Sequence, residues 1–200
     1  MAALFGLGRQ LFVRPPVPKA DFTGKTVIVT GSNAGLGMEA VKHYVRLNAA
    51  RIVMAVRSVN KGEAARREIL ATPGLTDKNC NILVWPLNYA LYASVEAFGA
   101  RVAKELHRVD AVVLNAGIAT QSWELLEEDE SQITVNVVCT TLLALLVLPS
   151  LRNTAQKYGV ETHLSFVGNS GHAQTTFPEQ NAAKIFDELR DEKTARMADR

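Results

Sequence analysis

Residues 26–37 read Thr-Val-Ile-Val-Thr-Gly-Ser-Asn-Ala-Gly-Leu-Gly, and this stretch decides the fold. Thr26 to Thr30 are all β-branched and show no polar alternation, the pattern of a short strand buried on both faces. Glycines follow at once. A tight turn from strand to helix needs glycine where a Cβ would clash or where φ must be positive. Such a turn also aims backbone N–H groups and the positive end of a helix at a phosphate. A glycine pattern that closes a buried strand and opens a helix is the context of a dinucleotide site. Gly31, Gly35, Leu36 and Gly37 are therefore candidate cofactor-binding residues.

Outward from this turn, strands and helices alternate. Helical spacing runs from Gly37 to Leu47, and Arg51 to Val56 reads as a second strand. Lys61 to Ala71 is rich in helix formers with opposite charges on a solvated face. Asn81 to Leu87 reads as a third strand. Tyr92 to Val109 reads as an amphipathic helix with Val95, Phe98, Val102, Leu106 and Val109 on one stripe. Ala111 to Leu114 is a fourth strand, Gln132 to Leu151 a long apolar helix, and His163 to Val167 a fifth strand. Five strands separated by helices imply parallel pairing through right-handed crossovers. The fold class is α/β, a doubly wound, Rossmann-like parallel sheet. Residues 1–20 read as an N-terminal arm and 21–200 as a single domain, with Ala182 to Arg200 as one more surface helix.

The bulk composition narrows the function. At 200 residues, 48% hydrophobic and 21% charged, the chain has the make-up of one globular domain. A net charge of +2 gives no case for nucleic acid. Cys80 and Cys139 are far apart, without metal-type spacing, and read as two reduced thiols. No metal site is expected. Thr140 to Leu151 is the most apolar stretch; Pro149 and its shortness argue against a membrane span. The expected location is cytoplasmic. Met1 to Val13 is apolar with a single Arg and lacks the apolar core of a secretory signal. It reads as an arm packing on the domain, with weak membrane association through 1–13 as the sharper alternative.

Three ordered motifs carry a resemblance. Thr30-Gly31, Gly35 and Gly37 resemble the TGxxxGxG motif of the short-chain dehydrogenase/reductase family. Asn115-Ala116-Gly117, closing the fourth strand, resembles that family's NAG motif, whose Asn steadies the centre of the sheet. Asn136 matches the family's catalytic Asn, whose backbone holds a water of the proton relay. Phe22-Thr23-Gly24-Lys25 and Ala55-Val56-Arg57-Ser58 resemble the branch of retinol-type dehydrogenases and fungal secondary-metabolism reductases. The resemblance runs from about Asp21 onward and implies oxidation or reduction of a small-molecule alcohol or ketone with a nicotinamide cofactor. The end of the second strand faces the adenosine ribose, where an acidic residue would repel a 2′-phosphate. Arg57 stands there instead, with Lys61 one helical turn on, so NADP is expected over NAD. Asn88 takes the place of the family's adenine-binding Asp and keeps an acceptor oxygen.

The family's chemistry also needs a Tyr with a Lys four residues later, since an unperturbed phenol is a poor base at neutral pH. None of the four tyrosines, Tyr44, Tyr89, Tyr92 and Tyr158, has that Lys. On the resemblance, the sequence stops just before the Tyr-x-x-x-Lys motif and the last part of the usual fold is missing. The family's catalytic Ser maps to Phe166-Val167-Gly168-Asn169-Ser170, where either Asn169 or Ser170 takes the position. Two readings stand: an NADP-dependent oxidoreductase by ancestry, and a catalytically inactive nucleotide-binding remnant or pseudoenzyme. The long apolar helix and the fifth strand are expected to expose a face that a second copy or a partner covers.

Overall fold

The computed structural model describes residues 16–75, 79–169, 176–195 and 197. The elements follow the chain as β1 (Thr26–Thr30), α1 (Gly35–Arg46), β2 (Arg51–Val56), α2 (Val59–Leu70), β3 (Asn81–Pro86), α3 (Tyr92–Glu105) and β4 (Ala111–Leu114). A small hairpin, β5 (Leu125–Leu126) and β6 (Asp129–Glu130), leads into a π-helical turn, Ile133–Cys139, and α4 (Thr140–Tyr158). Then come β7 (His163–Phe166), a 3-10 turn (Pro178–Asn181) and α5 (Ile185–Leu189). The five long strands form one sheet in the order β3-β2-β1-β4-β7, every pair parallel. The expected doubly wound sheet is present.

β1 lies at the centre and is buried along its whole length. Val27 and Val29 face one core with Val41 and Val45 of α1 and Ile69 of α2. Ile28 faces the other, with Val95, Phe98 and Val102 of α3 and Leu143, Val147 and Leu151 of α4. Alternate β1 side chains thus serve opposite layers, as a two-sided strand requires. The strand bottoms are locked by Asp110. It is buried, accepts from the Thr26 N–H at 2.8 Å, and is gripped by Arg108 through Nε and Nη2. α3 and α4 approach closely because Gly99 faces Leu146, whose Cβ would lie 2.8 Å from any Cβ added there.

Several boundaries differ from expectation. α3 stops at Glu105 because Leu106 turns to extended backbone, φ −106° and ψ 107°. Leu106 and Val109 are buried all the same, from the connection rather than from a helix. Pro149 does not end the apolar helix, which runs on to Tyr158 and is closed by Gly159 in the left-handed region at φ +61°. With the π-helical turn, the segment Ile133–Tyr158 has 26 residues and is long and apolar enough to cross a membrane. In this fold one side of it packs on the sheet. Among the described residues, the expected tail helix from Ala182 onward is found only over Ile185–Leu189, and Arg190 after it pairs with Asp129 of the hairpin at 3.1 Å. The N-terminal stretch 1–13 lies outside the described residues.

Candidate nucleotide-binding site

The carboxyl ends of the parallel strands lie along one end of the sheet, and the strand order reverses between β1 and β4. In open α/β sheets this switch point is where ligands bind. Gly31 leaves β1 at φ +64°, and a Cβ on it would come within 2.9 Å of the Ala116 Cα. Its N–H donates to the Ala55 carbonyl at 2.8 Å, which holds the turn against β2. Gly35 has φ +55° and open space around it. Gly37 has no positive φ, yet a Cβ there would lie 2.5 Å from the Gly31 carbonyl oxygen and 2.6 Å from Asn115 Nδ2.

α1 starts at Ala34 without a side-chain cap and with no acidic residue in its first turn. Its first backbone bond is Met38 N–H to the Ala34 carbonyl, so the N–H groups of Gly35, Leu36 and Gly37 lack helical partners. Leu36 is 76% exposed at this end. A glycine cradle beside an uncapped, uncharged helix start fits a pyrophosphate.

Asn115 binds the two central strands together. Its Nδ2 donates to the Thr30 and Gly31 carbonyls at 3.0 and 3.3 Å. The N–H groups of Asn115 and Ala116 both donate to Thr30 Oγ1, at 3.0 and 2.9 Å. Thr30 is thus a main support of the site, which the sequence signalled only as the residue before Gly31. Ser32, fully buried, donates to the Val29 carbonyl at 3.0 Å and stiffens the turn from inside.

Arg57 follows the last buried residue of β2 and is exposed. Ser58 beside it caps α2, accepting from the Lys61 N–H at 3.4 Å, and the Lys61 side chain stands exposed one turn along. Asn88, after β3, is half-buried and holds its own loop. Its N–H donates to Ser94 Oγ and its Oδ1 accepts from the Ala90 N–H at 3.1 Å. One lone pair of that amide oxygen is therefore committed locally.

Asn136 lies in the π-helical turn, a kind of irregularity frequent at functional sites. Its side chain makes a reciprocal pair with Ile118, accepting from the N–H at 2.9 Å and donating to the carbonyl at 2.8 Å. It thereby clamps the loop that follows β4. Of the two candidates for the Ser position, Asn169 is exposed beyond β7, and Ser170 lies outside the described residues. Three of the tyrosines are shifted away from acidity. Burial pushes Tyr89 up to about 12 and raises Tyr44, and desolvation, followed by nearby acidic groups, raises Tyr92.

The sheet, the switch-point glycines and the clamped strand ends define a doubly wound protein of the dinucleotide-fold class. The chain belongs to the short chain dehydrogenase family, whose model matches residues 25–174. It is 44% identical over 189 residues to the short chain dehydrogenase/reductase dmxR8 of Cryptosporiopsis sp. (strain 8999), covering 93% of this chain and 57% of that protein. It is 43% identical over 200 residues to the short-chain dehydrogenase anuD of Penicillium roqueforti, covering 100% of this chain and 51% of that one. The chain thus spans somewhat over half the length of these relatives. Among solved structures, an alcohol dehydrogenase from the archaeon Thermococcus sibiricus, complexed with 5-hydroxy-NADP, is 26% identical with a TM-score of 0.53, covering 66% of this chain and 55% of that one.

Proposed function

We propose that this chain binds NADP(H) and serves the oxidation or reduction of a small-molecule alcohol or ketone, in the manner of fungal secondary-metabolite dehydrogenases. The exposed Arg57 immediately after β2 carries the choice of cofactor. A guanidinium there meets a 2′-phosphate through paired charge-assisted hydrogen bonds, with Lys61 adding charge. Gly35, Leu36 and Gly37 would present N–H groups to the pyrophosphate, Gly31 shapes the turn that lets it approach, Asn88 would serve the adenine side, and Asn115 holds the two central strands in register. The bound nucleotide supplies the hydride chemistry. Asn136 fixes the loop beside the nicotinamide side. The fungal relatives, named as short-chain dehydrogenases, support the reaction class, and the complex of the archaeal alcohol dehydrogenase supports the cofactor.

Calorimetric titration tests the reading. NADPH binding stronger than NADH is expected, with Arg57→Glu erasing or reversing the preference. Equal affinity for both cofactors, or NADH preferred by the unmodified chain, contradicts it.

A second reading, nucleotide binding without catalysis by these residues, is favoured by the tyrosines. None has a Lys four residues on, and Tyr44, Tyr89 and Tyr92 are shifted away from acidity. Assays of the 200-residue chain with NADPH and a panel of ketones separate the two readings. Background rates support the second, and robust turnover removes it.

A further inference from the structure

Tyr89 follows Asn88 on the loop leaving β3 and turns its ring into the core beneath α4. It is 6% exposed, and its hydroxyl is buried without a formed hydrogen bond. A phenylalanine would fill the same space without that cost. The hydroxyls of Thr30 and Thr140 lie beside it, and their unused valences are complementary. Thr30 Oγ1 already accepts from the N–H groups of Asn115 and Ala116, at 3.0 and 2.9 Å. Both lone pairs are used, so only its proton is left to give. Thr30 is fully buried from bulk solvent. Thr140 Oγ1 has its proton on the Val135 carbonyl at 2.9 Å, so only its lone pairs are left. The phenol between them can accept from the first and donate to the second, after small side-chain movements within the rotamer wells.

We infer that Tyr89 is a positioning residue whose hydroxyl links Thr30 to Thr140 in a one-way chain of hydrogen bonds. The Thr30 hydroxyl donates to Tyr89, Tyr89 donates to Thr140, and Thr140 donates to the Val135 carbonyl. One end of the chain is the glycine turn and the Asn115 strand end. The other is the peptide joining Val135 to Asn136. The loop on the adenine side, which carries Asn88 and Tyr89, is thereby tied to both. The inference deepens the nucleotide-site reading and rests on it only for its effect on affinity.

Residue-resolved hydrogen exchange at micromolar concentration, with ultraviolet Raman difference spectra, tests the chain of bonds. Thr140→Val touches neither Asn115 nor Ala116. It is expected to speed exchange of both amides about three- to tenfold, the effect of losing one ordinary hydrogen bond, while β2 amides keep their rates. Tyr89→Phe should do the same and remove from the tyrosine spectrum the component of a phenol that both donates and accepts. Both amides unmoved in the two variants, all strands speeding up together, or no such Raman component overturns the inference. NADPH titration of the unmodified chain is read separately. No binding there defeats the nucleotide reading and leaves the exchange and Raman results standing. Binding with unmoved amides defeats the chain of bonds alone.

Discussion

Gly35 and Gly37 stand two residues apart and resist a methyl group for opposite reasons. At Gly35 the space is open but φ is +55°, so Gly35→Ala costs about 1–2 kcal/mol of backbone strain. At Gly37 the backbone is ordinary, but the methyl would lie 2.5 Å from a carbonyl oxygen and 2.6 Å from Asn115 Nδ2. Gly37→Ala should therefore cost about 3 kcal/mol or more, beyond usual overpacking because backbone must give way. It should also loosen the bonds from Asn115 to Thr30 and Gly31. Denaturant titration of both variants should rank Gly37→Ala as the more damaging; the reverse order would mean that the turn relaxes freely. The sequence motif marked both positions, but only the backbone geometry and the neighbouring atoms separate the two causes. Thr30 and Tyr89 were not legible as site supports, because a buried hydroxyl looks in sequence like any strand or loop residue. Cys139 carries a pH prediction. Burial, with Glu127 adding to it, pushes its thiol from 9.0 up to about 11; burial does the same for Cys80. The fold thus favours the neutral thiols. Their contribution to stability is whole below 9.0 and is lost as pH rises toward about 11. The unfolding midpoint should stay level from neutral pH to about 9 and then fall, and thiol reagents at neutral pH should label the native chain slowly. Rapid labelling of Cys139 in the native chain would contradict this.

At the scale of elements, the strands were the easiest to read. Short, largely apolar runs between turn residues marked all five strands of the sheet, with only β3 and β7 each ending one residue early. Helix ends were harder. Leu106 and Val109 continue the apolar stripe of α3 although the helix has ended, since buried loop residues are as apolar as helical ones. The β5–β6 hairpin escaped notice because two-residue strands show no periodicity. Yet the hairpin starts the longest helix. Glu130 is fully buried, and its carboxylate accepts from the Ser131 hydroxyl at 2.8 Å and from the N–H groups of Gln132 and Ile133 at 2.9 and 3.4 Å. It satisfies donors at the entry to the π-helical turn that carries Asn136. Glu130→Ala should cost about 1.5–3 kcal/mol, as for hydrogen bonds to a charged group. Glu130→Gln, which keeps one acceptor oxygen, should cost less. Urea unfolding of the two variants reads the difference, and an unchanged midpoint in Glu130→Ala would show that the turn holds without its cap.

For the whole molecule, the two layers are unequally covered. α1 and α2 close one face over Val27, Val29, Ile52 and Met54. On the other, α4 buries Leu143, Val147 and Leu151 on the sheet and half-buries Leu142 and Leu146. Its apolar surround in sequence therefore overstates what is exposed. Val137 and Leu145 remain 46% and 62% exposed, and Phe166, the last residue of β7, and Val167 after it are 57% and 49% exposed. β7 pairs only with β4 among the described residues, so its far side presents open N–H and C=O groups. Covering a large apolar side chain is worth roughly 1.5–3 kcal/mol, against a total stability of about 5–15 kcal/mol. Four such exposed residues, together with an open strand edge, make self-association the expected state of the purified chain. Sedimentation velocity should show species larger than the monomer, growing with concentration. Leu145→Lys, on the exposed side of α4, should shift the distribution toward monomer without lowering the melting temperature, since that side chain contributes little to the core. A monodisperse monomer with a cooperative melt well above room temperature would refute the argument, because it would show that this face is stable in water as it stands.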